Sequence, residues 1–133
     1  MKTRNSLASK PIVFFVSLLL SADLFASTLS YKEVKTLADK HEQSLPVAQA
    51  QDLMKAQGMV GGKALTECFD SVPGPRTIPF VLVMQLDGNG IVVHTWLDGG
   101  SDVAKCFEKK LATQKLFVPP FVPFYTSFEM QFK

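Results

Sequence analysis

From Ile78 onward the apolar positions of this chain recur every second residue. Phe80, Leu82, Met84 and Leu86 point one way, and Val81, Val83 and Gln85 point the other. That period predicts a β-strand. A second strand is expected over 91–97, which is β-branched and aromatic. A third closes the sequence, with Thr126, Phe128, Met130 and Phe132 alternating against Ser127, Glu129, Gln131 and Lys133. Upstream the spacing is helical. Ser30-Tyr31-Lys32-Glu33 reads as a capping box, and Tyr31, Val34, Leu37 and Ala38 follow on one face. Pro46 breaks that pattern, and 47–57 predicts a second short helix ending at Gly58. The pair Gly61-Gly62 is expected to punctuate the chain before a helix over 63–71 with Leu65, Cys68 and Phe69 as its apolar members. Ser101 caps a last helix from Asp102 to about Gln114, whose buried face carries Val103, Cys106, Phe107 and Leu111. Together these elements predict an α+β fold, in which a small three-stranded antiparallel sheet carries packed helices.

Between the first two strands stands Asp87-Gly88-Asn89-Gly90. The same four residues occur in calcium-binding loops, but that template would put Gln85 at its first position and Trp96 at its twelfth, where carboxylates are required. The economical reading is a hairpin turn, with glycine supplying positive φ and Asp and Asn supplying turn chemistry.

The N-terminus changes the meaning of the composition. Lys2, Arg4 and Lys10 precede the apolar run 11–20, and Leu24-Phe25-Ala26 offers a small residue for cleavage, so 1–26 is expected to be a Sec signal peptide, with Ala22 as the second candidate site. The run is much shorter than the roughly 20 residues a spanning helix needs. The 107 residues that follow carry 11 Lys+Arg and 11 Asp+Glu. A formally neutral domain has no basic footprint for nucleic acid or for an anionic membrane, so both are excluded as partners. One domain of periplasmic or secreted location is expected, its N-terminal helical segment covering 27–61 and its α+β part covering 62–133.

The runs LTECFDS, FVLVMQLDGNGIV, DVAKCFEKKL and FEMQF, in the order helix, hairpin, helix, strand, resemble the TonB C-terminal-like domain, in particular its AgmX/PglI subgroup. The resemblance covers about 62–133. It implies the sheet order 2-1-3, with the last strand at an edge, and a site there where a partner peptide adds a strand. On this chain that edge would comprise Phe124, Tyr125, Ser127, Glu129 and Gln131, with Phe124 and Tyr125 as apolar anchors. The subgroup also pairs a Cys ahead of the first strand with a Cys in the later helix. An even cysteine count in a small exported chain independently favours a Cys68–Cys106 disulfide. The long Pro-rich spacer of energy-transducing members is not found in this sequence.

No residue is assigned to catalysis. Glu67, Asp70 and Glu108 read as helix-surface charges, His41 as a solvated residue and His94 as a strand residue. The two histidines and two cysteines show no zinc-ligand spacing, so neither metal nor other cofactor is expected. The expected function is a non-enzymatic protein–protein interaction module accessory to a cell-envelope complex. The alternative is a periplasmic inhibitor or immunity protein that blocks an enzyme or toxin. A second copy of the chain is a further candidate partner, and the aromatic connector over 117–125 is a second candidate surface.

Overall fold

A computed structural model of the protein describes residues 28–132. The expected signal segment 1–26 and its cleavage sites lie outside the described residues, as does Lys133. Helix α1 spans Tyr31–Gln43 and begins with the predicted capping box. The Ser30 N–H donates to Glu33 Oε2 at 2.8 Å, and the Glu33 N–H donates to Ser30 Oγ at 3.4 Å. Helix α2, Val47–Ala56, continues through a π-helical segment, Gln57–Gly61, into α3, Gly62–Ser71. Strand β1, Phe80–Leu86, and strand β2, Val92–Asp98, follow, then α4, Asp102–Leu111, and β3, Phe124–Met130. All pairings are antiparallel and the sheet order is β2-β1-β3, as expected.

The glycines at 58, 61 and 62 do not end a helix, which corrects the expected break. Gly61 and Gly62 have helical φ of −66° and −60°. Glycine costs about 1 kcal/mol in a helix interior relative to alanine. At Gly61 that cost is offset by packing, because a Cβ there would stand 2.1 Å from Cε2 of Phe128. Any side chain at that position would force the Phe128 ring to shift before the helix could close on β3. The 61/62 boundary therefore marks no structural break.

Both faces of the sheet are covered. One carries the main core, where Phe80, Leu82, Met84 and Leu86 of β1 meet Cys68 of α3, Phe107 and Leu111 of α4, and Phe124 of β3. The other carries a smaller cluster in which Val34 and Ala38 of α1 pack on Val83 and Tyr125. This explains why β1 is apolar on both faces, a pattern more usual in strands buried between two layers. The N-terminal helices thus share the core of the α+β part. Leu53 of α2 lies in the main cluster as well.

The hairpin forms as the turn residues predicted. Asp87 Oδ1 accepts the N–H groups of Asn89 and Ile91, each at 2.9 Å, and the Gly90 N–H donates to Asp87 O at 3.0 Å. Gly90 adopts φ +80°, and a Cβ there would fall 2.3 Å from the Phe117 carbonyl oxygen, so glycine is required on both counts. The Asp87 carboxylate is occupied in building the turn. Cys68 and Cys106 form a disulfide that joins α3 to α4, with their Cα atoms 5.8 Å apart.

Candidate functional site: the two edges of the sheet

A three-stranded sheet has two edges, and here they are treated differently. At the outer side of β3 the Tyr125 N–H donates to His41 Nδ1 at 3.0 Å, and the Ser127 N–H donates to Glu42 Oε1 at 2.8 Å. Gln57 Nε2 donates to the Ser127 carbonyl oxygen at 3.0 Å and to Thr126 Oγ1 at 2.9 Å. The Thr126 hydroxyl in turn donates to Glu42 Oε1 at 2.6 Å. Three side chains from the end of α1 and the start of the π segment therefore take up backbone groups that another strand would need. The Tyr125 carbonyl oxygen and the backbone groups of Glu129 also point outward there, and no described residue bonds to them. The carboxylates of Glu129 and Asp39 flank Lys35, and although burial disfavours the Lys35 ammonium, these contacts outweigh it and hold its pKa above the ordinary value.

These contacts correct the expected edge site. Phe124 and Tyr125 are 0% and 3% exposed, so neither is a surface anchor. Ser127 is buried beneath α1 rather than facing outward, because the second face of the sheet is also a core. Glu129 and Gln131 are exposed, and Gln131 lies beyond the end of the strand. His41, read from sequence as solvated, is a backbone cap packed against Phe121, Phe124 and Tyr125, with ring centroids 4.9 to 5.7 Å away.

Burial holds the His41 imidazole below its ordinary pKa of 6.5. The neutral ring accepts the Tyr125 N–H, whereas a protonated Nδ1 would oppose it. The unfolded chain therefore takes up this proton more readily than the folded one. The stability contributed is complete above about pH 6.5 and is lost as the pH falls through the depressed folded value. Melting temperatures followed from pH 7.5 down to 5 should fall with acid. His41→Asn, whose Oδ1 can accept the same N–H without titrating, should flatten that slope. Equal slopes in both proteins would remove His41 as the cause.

The β2 edge is the opposite case. Because Tyr125 and Ser127 bond away from β1, Leu82 and Met84 are the β1 residues that exchange backbone bonds with β3. Val81, Val83 and Gln85 must then bond to Asp98, Trp96 and His94, their partners in register. The N–H and C=O groups of Thr95 and Leu97 consequently point away from the sheet. No described residue bonds to them; Thr95 makes only a hydroxyl bond to Glu108 Oε1 at 2.8 Å. The start of β2 is closed off, since Val92 exchanges bonds with Gln114 and Thr113. On the α1 face of β2 stand His94, Trp96 and Asp98. Trp96 is fixed by an Nε1–H bond to the Leu29 carbonyl oxygen at 3.1 Å and lies 6.0 Å from the Tyr125 ring and 6.1 Å from His94.

Two other surface features are less organised. The connector before β3 exposes Val118, Phe121 and Val122, while Phe117 is buried against Phe124. An open groove of about 580 Å³ runs between the π segment and the end of α4, where Lys110 and Glu67 pair across it at 2.8 Å. Among the described residues no group of three His, Cys, Asp or Glu could hold a metal ion, and no helix is long and apolar enough to cross a membrane. Comparison of the chain with protein-family models, curated proteins and solved structures returned no match.

Sequence reasoning missed the caps and the open edge. The caps join residues 69 to 85 positions apart and leave no local signal. The β2 edge did leave one, since 92–98 contains neither Pro nor Lys, the residues that commonly protect exposed edges.

Proposed function

We propose that this chain is a non-enzymatic protein–protein interaction module that works in the periplasm as an accessory part of a cell-envelope complex, and that it engages a partner through the edge of β2. The observation that carries the reading is the contrast between the edges. Backbone groups on β3 are met by His41, Glu42 and Gln57, while those of Thr95 and Leu97 are left open on a strand lacking the usual protective residues. An edge of this kind binds an added strand through main-chain bonds, with alternate side chains giving specificity. The Cys68–Cys106 bond fits an oxidising compartment, and the envelope assignment rests on the TonB-like resemblance of 62–133.

Thr95→Pro tests the reading. Proline removes the outward N–H at this position without removing a donor of the β1 ladder, and it is tolerated on edge strands. Cross-linked capture from periplasmic and envelope fractions should recover a partner with the wild-type chain and lose it with Thr95→Pro, while circular dichroism and the intact disulfide report an unchanged fold. Equal recovery by a folded Thr95→Pro chain would reject recognition at this edge.

A further inference from the structure

We infer that the strand the β2 edge fits is β2 of a second copy, paired antiparallel about Trp96 so that two three-stranded sheets become one sheet of six. This inference rests on the edge reading above and names its occupant.

The register follows from which residues can bond outward. An antiparallel pair of identical strands is centred on a twofold axis, and only a few centres are available. A centre on Thr95 would require Val93 to bond to Leu97 of the other copy. Val93, however, is the extra residue where the register slips from Gln85–His94 to Leu86–Val92, and it has no place in a regular ladder. A centre on Leu97 would require Gly99, whose φ of +145° is not that of a strand. A centre on Trp96 uses Thr95 and Leu97 together, the two residues whose groups are open. Each then faces the other across the axis and exchanges both bonds, giving four main-chain hydrogen bonds.

The side chains agree with that register. Trp96 falls opposite its own symmetry mate in a non-hydrogen-bonded pair, where side chains approach most closely and aromatic pairs stabilise a sheet. His94 falls opposite Asp98 of the second copy, and Asp98 opposite its His94, all on the face that already holds Trp96. The imidazole can donate to the carboxylate in both places. Asp98 is the only Asp, Glu, Lys or Arg in 92–98, so no like-charge pair within β2 opposes the dimer. Thr95 and Leu97, on the other face, lie opposite one another.

Sedimentation velocity on the oxidised chain, at concentrations up to about 100 µM where a small edge interface associates, should show a dimer. His94→Asp places two carboxylates opposite each other twice and should weaken the dimer roughly tenfold or more. The swapped variant His94→Asp/Asp98→His restores the complementary pairs and should recover most of that loss. Thr95→Pro should give a monomer. A wild-type chain that stays monomeric throughout this range overturns the inference, as does a dimer that His94→Asp and Thr95→Pro both leave unchanged. The two readings fail differently. A monomeric wild type whose captured partner is still lost on Thr95→Pro rejects the second copy alone, whereas capture that also survives Thr95→Pro rejects the edge.

Discussion

Removing the Cys68–Cys106 bond should cost about 4 kcal/mol of folding stability, because the bond closes a loop of 38 positions and the chain-entropy relation gives roughly that value for such a loop. Whole domains are stable by about 5 to 15 kcal/mol, so the loss is a large share of the total. Besides the bond, α3 and α4 are joined by their shared apolar core and by one ion pair. The Lys110–Glu67 pair spans the same two helices, but both side chains are well exposed and such a pair contributes little. Apolar contacts of Phe107 and Leu111 with the main core remain after reduction, which is why a weakened fold rather than a collapsed one is expected. Urea denaturation of oxidised chain, of dithiothreitol-reduced chain and of Cys68→Ala/Cys106→Ala should show both treatments destabilising to a similar extent. The melting temperature should drop on the order of 15 °C or more. Two titratable thiols in native protein purified without reductant would defeat the premise.

The elements that could be read in the sequence were those specified locally. Ser30 with Glu33, Ser101 before Asp102, and Asp87 to Gly90 each carry their structure within four residues, and all three form as expected. The alternation in β1 also held, because each of its faces meets its own core. Alternation misled at β3. Ser127 is polar yet buried, and Tyr125 packs beneath α1, whereas Thr126 is buried with the core-facing set as expected; polarity there reports hydrogen bonding to Glu42 and Gln57 rather than contact with water. The glycines misled for a related reason. Gly61 reads as a helix stop until Phe128 is seen to occupy the space where its side chain would be. The edges show the same limit. The resemblance implied that β3 lies at an edge, as the sheet order has it, but whether that edge is open depends on a helix more than 80 positions away.

Glu42→Ala should expose what that helix conceals. The carboxylate accepts the Ser127 N–H at 2.8 Å and the Thr126 hydroxyl at 2.6 Å, and both residues are buried. Truncation leaves two donors without a partner. At roughly 1 to 3 kcal/mol for each, the expected loss is about 2 to 6 kcal/mol, whereas Lys40→Ala, at an exposed position on the same helix, should stay within about 0.5 kcal/mol. Glu42→Gln retains an acceptor oxygen and should fall between them. Hydrogen exchange gives the more specific reading, since the Ser127 amide should lose protection in Glu42→Ala while the amides of Leu82 and Met84, central in the sheet, keep theirs. Stability equal to that of Lys40→Ala, with Ser127 still protected, would mean that Glu42 does not cap the strand. If it does, the variant frees the Ser127 N–H alone, because His41 still meets the Tyr125 N–H and Gln57 still meets the Ser127 carbonyl oxygen. The β3 edge then stays closed at those two places, and Glu42→Ala should sediment as the wild type does. Its carboxylate acts chiefly to hold α1 to the sheet, and the closure of β3 is shared among three side chains.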